Sequence, residues 1–148
     1  MYKYALYALG NAHDAEDVVA ETFLEAFRGI SKLREADAFK GWIFKILSIR
    51  IKRRISRYVK EKNQLQIEDF AADSALRTDG MDSAVIARTD LLQALTILSP
   101  QERMILSLSV LYGYTTKQIS QMLRCPHGTV SSKLHRSLQK LKKQMEER

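Results

Sequence analysis

Wherever the apolar residues of this chain recur regularly, they recur with a helical period, and no segment sustains the alternation that a half-buried strand needs. That feature confines the 148 residues to an all-α fold. Tyr2 to Leu9 reads as a short helix ended by Gly10. Asn11 is the expected N-cap of the next helix. There Ala15, Val18, Val19, Thr22, Phe23, Ala26 and Phe27 form an apolar stripe expected to be buried, opposite an acidic row of Asp14, Asp17, Glu21 and Glu25. After a loop over residues 29–37, a third helix is expected from about Ala38 to Tyr58, with Phe39, Trp42, Ile43 and Ile46 on its core face. Residues 63–82 lose the periodicity, carry an excess of acids, and read as a flexible linker.

Two helix starts follow. Ser99-Pro100-Gln101-Glu102 combines an N-cap serine, a proline at the first helical position and a glutamate spaced for a capping box, and Thr115-Thr116-Lys117-Gln118 repeats the box. Met104, Ile105, Leu108 and Leu111 are expected inward on the first helix, and Ile119, Met122 and Leu123 on the second. Arg124-Cys125-Pro126 turns the chain into a last helix from about His127, with Val130, Leu134, Leu138 and Leu141 buried. The expected organisation is two small helical domains, over residues 1–62 and 83–148, joined by the linker; the C-terminal one is a helix-turn-helix.

The net charge of +7 is unevenly placed. Residues 40–62 carry nine bases against Glu61, and residues 124–148 form a second basic block, whereas residues 1–39 and 63–99 are acidic. Two basic blocks around an acidic spacer suggest two places that meet a polyanion, with solvated helix faces as the alternative. In a helix-turn-helix the second helix enters the major groove, so Ser131, Ser132, Lys133, His135 and Arg136 are the candidate base readers, with Lys140, Lys142 and Lys143 adding charge. On the earlier helix Phe39, Trp42 and Phe44 precede Arg50, Arg53, Arg54 and Arg57. Rings beside cations suit single-stranded DNA, although rings at helical spacing also suit a core. The acidic row would bind a basic protein surface or pair with the chain's own arginines.

Catalysis finds little support: no glycine-rich phosphate loop or nucleophile cluster is present, and no cofactor is expected. The single cysteine, Cys125, excludes a disulfide framework and a multi-thiolate zinc site, and suits a reducing, cytoplasmic setting. It is expected to be a small apolar filler. Cys125, His127 and His135 lack a fourth ligand, so no metal site is expected. No apolar run approaches a membrane span, and the N-terminal apolar stretch is too short for a signal peptide.

Four motifs occur in order: Asp14-Ala15-Glu16-Asp17-Val18-Val19-Ala20-Glu21-Thr22-Phe23, Phe39-Lys40-Gly41-Trp42-Ile43-Phe44-Lys45-Ile46, Leu98-Ser99-Pro100-Gln101-Glu102-Arg103, and Cys125 through Arg136. With them the chain resembles a bacterial RNA polymerase sigma factor of the extracytoplasmic-function (ECF) group. The resemblance implies that Asp14, Asp17, Glu21 and Glu25 dock on the clamp helices of the polymerase's largest subunit. It implies that Phe39, Lys40, Trp42, Lys45, Arg50, Arg53 and Arg54 open and hold the −10 promoter element. It also implies that Thr129, Ser131, Ser132, Lys133, His135, Arg136 and Lys140 read the −35 element. By the same analogy an anti-sigma factor is expected as a partner. The family usually has Gln where Ala20 stands and Asn where Ile49 stands, and it carries more helix before Tyr2. The competing readings are a stand-alone helix-turn-helix regulator, which leaves the first 60 residues without a role, and a helical protein-interaction module with no salt-dependent affinity for duplex DNA.

Overall fold

The computed structural model describes residues 1–64 and 90–147, and all regular structure among them is helical. In chain order the helices are α1 (Tyr2–Leu9), α2 (Ala12–Gly29), α3 (Phe39–Gln64), α4 (Pro100–Val110), α5 (Thr116–Leu123) and α6 (His127–Glu146). Two short 3₁₀ turns, Ile30–Lys32 and Ala36–Ala38, join α2 to α3, and residues 90–95 are also helical. Helix α3 continues six residues beyond Tyr58, so it is roughly 39 Å long at about 1.5 Å per residue. The rest of the expected linker, and the expected domain start near Ser83, lie outside the described residues.

The local signals act as their chemistry requires. Gly10 ends α1 in the left-handed region at φ 69°, where a side chain would be strained. Asn11 accepts from the Asp14 backbone N–H at 3.0 Å and so caps α2. Both capping boxes form. Ser99 and Glu102 exchange bonds at 3.2 and 2.9 Å, and Thr115 and Gln118 do so at 3.2 and 2.9 Å. Each cap is worth about 1 kcal/mol, which matters for α4 and α5 because isolated helices this short do not persist.

The core corrects several expected faces. On α2 the buried positions are the small ones, Ala15, Val18, Thr22 and Ala26, while Phe23 and Phe27 point outward. Small residues let α2 approach α1 and α3 closely; the broad apolar arc had room for two faces, and packing selected the narrower side chains. On α3 the buried set is Ile43, Phe44, Leu47, Ser48 and Ile51. Phe39 is exposed and Trp42 and Ile46 are half-buried, so the core face is turned by about one residue from the expected one. Trp42 instead lies along the end of α2, where a Cβ added to Gly29 would come within 3.3 Å of its ring. Leu111 and Leu138 are exposed as well, and Ser137 is buried on α6, its hydroxyl donating to the Lys133 carbonyl at 2.6 Å.

The two halves share one core. Helix α1 packs against α2 and α3 on one side and α4 on the other, and α3 packs against α5. Tyr4, Leu47 and Ile51 therefore belong to the same buried cluster as Met104, Leu108, Ile119 and Val130. The rings of Tyr112 and Tyr114, which follow α4, sit 4.7 and 6.0 Å from Phe44. Arg103 donates to the Leu98 carbonyl at 2.7 Å and to the Ala8 carbonyl at 3.0 Å, placing a half-buried cation at the negative end of α1. A second cluster, Tyr7 with Leu92, Leu95, Leu98 and Leu106, extends the contact. This closed arrangement is a finding the local sequence patterns did not contain.

Candidate nucleic-acid interface

The helix-turn-helix is built from α5 and α6. Arg124 ends α5 at φ 52°, Pro126 precedes α6, and the Thr116 hydroxyl meets Nε2 of His127 at 2.8 Å, tying the two helix starts together. Val130 is fully buried and fixes the rotation of α6. That rotation leaves Ser132, His135 and Arg136 exposed and Thr129 and Ser131 half-buried at the N-terminal half of the helix. Two expected readers are engaged internally. Lys133 donates to Oε1 of the Gln101 side chain, and Lys140 pairs with Glu102 at 3.0 Å. Gln101 also donates to Cys125 Sγ at 3.0 Å, so the cysteine accepts a polar contact as well as filling the turn. Burial raises the Glu102 carboxyl, but the Ser99 N–H and the Lys140 ammonium outweigh it and hold the group below its ordinary value. Lys133 and Lys140 thus anchor α6 on α4; Thr129 and Arg136 share their helical stripe, and Ser132 and His135 lie further toward solvent.

On α3 the expected −10 residues divide similarly. Phe39 and Trp42 lie 6.1 Å apart, with Lys40 and Lys45 exposed beside them, and the Lys40 ammonium sits 5.6 Å from the Tyr114 ring centroid. Phe44 is in the core, not beside the basic surface. Arg53 is exposed. Arg50 and Arg54 instead run along the acidic row of α2. Arg54 pairs with Asp14 at 2.7 Å, Glu21 at 3.4 Å and Asp17 at 3.9 Å, and Arg50 pairs with Glu25 at 2.7 Å and Glu21 at 3.5 Å. Tyr58 donates to the other Asp14 oxygen, and burial followed by that bond lifts its hydroxyl well above the ordinary tyrosine range, so it stays a donor. Of the two roles open to the acidic row, the structure makes the internal one; Asp17, Glu21 and Glu25 keep about half their side-chain surface in solvent.

Sequence reasoning missed one surface. Phe23 (54 % exposed), Leu24 and Phe27 (82 % exposed) stand outside the buried stripe of α2, together with Ala20, and the exposed Ile30 follows at the start of the 3₁₀ turn. The signal was the excess of apolar residues over what one helical face can bury. An outward run of this size marks a protein contact more often than chance.

A helical body that packs a capped helix-turn-helix against an aromatic and cationic helix has the make-up of a two-site DNA-binding protein. Comparison with known proteins specifies the kind. Residues 1–62 match the family model for Sigma-70 region 2, and residues 88–141 match that for Sigma-70, region 4. The chain is 30 % identical over 150 residues to the ECF RNA polymerase sigma factor SigL of Mycobacterium tuberculosis, covering 99 % of this chain and 83 % of SigL. It is 31 % identical over 146 residues to SigE of Mycolicibacterium smegmatis, where it spans 96 % of itself but only 56 % of that protein's length. SigW of Bacillus subtilis is 27 % identical over 155 residues, covering 98 % and 82 %. The fold matches that of the sigma factor RpoE in its complex with the anti-sigma factor NepR from Bartonella quintana, with a TM-score of 0.78, 21 % identity, and 98 % and 89 % of the two chains covered. The chain belongs to the ECF RNA polymerase sigma factors, the proteins that direct transcription initiation, and it carries both region 2 and region 4.

Proposed function

We propose that the chain binds core RNA polymerase through α2, holds the −10 element on α3, and reads the −35 element with α6. The observation that carries this reading is that α6, fixed by the buried Val130 and by the contacts of Lys133 and Lys140, leaves Ser132, His135 and Arg136 in solvent. Lys133 and Lys140 hold the helix on α4, while Thr129, Ser132, His135 and Arg136 remain available where a recognition helix meets base edges. On α3, the Phe39–Trp42 ring pair with Lys40, Lys45 and Arg53 is the stacking and phosphate surface, and Arg50 and Arg54 position the helix from behind by pairing with α2. The polymerase contact combines the outward Phe23, Leu24 and Phe27 with the exposed edges of Asp17, Glu21 and Glu25. An anti-sigma factor, like the one bound to the structurally similar RpoE, belongs to the same reading.

The closed body cannot do all of this at once. The two promoter elements are about 25 base pairs apart, roughly 85 Å of duplex at about 3.4 Å per pair. A compact chain of 148 residues has a radius of gyration of about 15 Å and is roughly 40 Å across. The Phe44–Tyr112 seam must therefore part for both elements to be gripped. The chain between residues 64 and 90, at up to about 3.4 Å per residue, is long enough to allow it.

Run-off transcription with core polymerase tests the assignment. Ser132→Ala and Arg136→Ala are expected to change which −35 sequences support initiation while leaving helix content unaltered. Unchanged promoter choice in both would remove α6 as the reader.

A further inference from the structure

Helix α3 carries two sets of cations. Arg50 and Arg54 are neutralised by the acids of α2. Toward the seam stand Lys52, Arg53, Arg57 and Lys60, which with Arg124 line an open groove of about 620 Å³. Ile49, Met122 and Leu123 give the groove an apolar floor. Lys52 donates to the Leu123 carbonyl. Among the described residues, Arg53, Arg57, Lys60 and Arg124 have no carboxylate partner. Glu61, next to Lys60 in sequence, exerts its field on Tyr58, beside the neutralised pair.

Cations from two halves held along one groove repel each other, so closing the seam works against their field, and a multivalent anion placed there would turn repulsion into attraction. Arg124 adds a second observation. It is the one non-glycine residue with positive φ among the described residues, at a helix end where glycine is the unstrained choice. The turn therefore presents a long cation to the groove where a side chain is least favoured. A groove of this volume accommodates a small molecule. Guanidinium groups in number suit phosphate, and the apolar floor suits a ring attached to it.

We infer that the seam between α3 and the α5–α6 turn is a binding site for a polyphosphate-bearing small molecule of nucleotide size. The site exists complete only in the closed arrangement, so its occupant holds the two halves together and opposes their separation on a promoter. This goes beyond the promoter and polymerase contacts; its effect on separation rests on the proposed promoter reading, with which the site shares Arg53, whereas binding itself does not.

Calorimetric titration of the full chain with ATP, GTP, inorganic triphosphate and adenosine tests the site. ATP and GTP are expected to bind, triphosphate more weakly, and adenosine not at all. Arg57→Gln/Lys60→Gln and, separately, Arg124→Gly are each expected to weaken nucleotide binding by about tenfold or more, since each removes charge-assisted contacts. Lys142→Gln/Lys143→Gln removes as much charge from α6 as the first pair removes from α3 and should leave binding unchanged. Circular dichroism checks that all variants are folded. No binding of ATP or GTP at millimolar concentration would overturn the inference. Equal weakening by the α6 pair would replace the site with diffuse charge, full affinity in Arg124→Gly would exclude a site shared by both halves, and triphosphate binding as tight as ATP would exclude a nucleotide occupant.

Discussion

The ring of Phe44, in the middle of α3, lies 4.7 Å from that of Tyr112, just past the end of α4, at an interplanar angle of 57°. Region 2 and region 4 thus meet through a buried aromatic contact, which Tyr4 extends at 6.0 Å from Phe44 and 6.3 Å from Tyr112. Such pairs add about 0.5–1.5 kcal/mol each beyond the area they bury. Tyr112→Ala should accordingly weaken the seam by about 1–3 kcal/mol while leaving each half folded. Small-angle scattering should then show a larger radius of gyration than that of the unmodified chain, and an unchanged radius would mean that other contacts set the closure.

The Arg54–Asp14 pair is the most enclosed of the α2–α3 ion pairs, with the arginine side chain 10 % exposed. Removing one member leaves the other partly desolvated without its counter-charge. Asp14→Asn should therefore destabilise the chain by about 1–3 kcal/mol in urea unfolding, and Arg54→Met combined with it should recover part of the loss. A purely additive double mutant would show that the pair contributes nothing as a pair.

Phe27 offers the opposite case. Being 82 % exposed, it should tolerate Phe27→Ser within about 0.5 kcal/mol of the original stability. If α2 docks on polymerase with its outward face, the same change should weaken binding to core enzyme by about 2 kcal/mol, as loss of an interface anchor does. Fluorescence anisotropy with labelled protein reads both arms, and undiminished binding would return the polymerase contact to the acidic row alone.

These cases show what the sequence patterns could and could not express. The capping boxes at Ser99 and Thr115, the left-handed stop at Gly10 and the buried Ile119, Met122 and Leu123 were legible, because each depends on residues within a turn or two. Phe23 and Phe27 were expected inside because a hydrophobic stripe carries no record of which arc a neighbour will cover. Phe39 and Trp42 drew the expected α3 core face about one residue away from Phe44 and Leu47, since ring size outweighed position. The Arg50 and Arg54 pairings and the Phe44–Tyr112 seam join residues far apart in the chain, and no local spacing encodes them.

Glu102 gives α4 a pH signature. Its folded carboxyl lies below the ordinary value of 4.5, so its contribution to stability is complete above that value and fades as pH falls through the folded one. Glu102→Gln keeps an acceptor for the Ser99 N–H but loses the charge facing Lys140. The original chain should thus melt higher than the variant near neutral pH, and the gap should close as pH falls below about 4.5. A gap independent of pH would trace the effect to cap geometry.

On the proposed reading of α6, base readers and phosphate contacts respond differently to mutation. Arg136→Ala should cost about 1–3 kcal/mol on a preferred −35 duplex and little on a random one. Lys142→Ala and Lys143→Ala, on the exposed tail of α6, should weaken both alike and reduce the salt slope by about one each.

Separation of the halves is open to direct measurement. Spin labels at Arg28→Cys on α2 and Gln139→Cys on α6, with Cys125→Ala removing the native thiol, report the distance between region 2 and region 4 in the free chain and in the complex with core polymerase and promoter DNA. A short, narrow distance in the free chain that lengthens by tens of ångströms in a transcription-competent complex is the predicted result. The same short distance in that active complex would contradict the account.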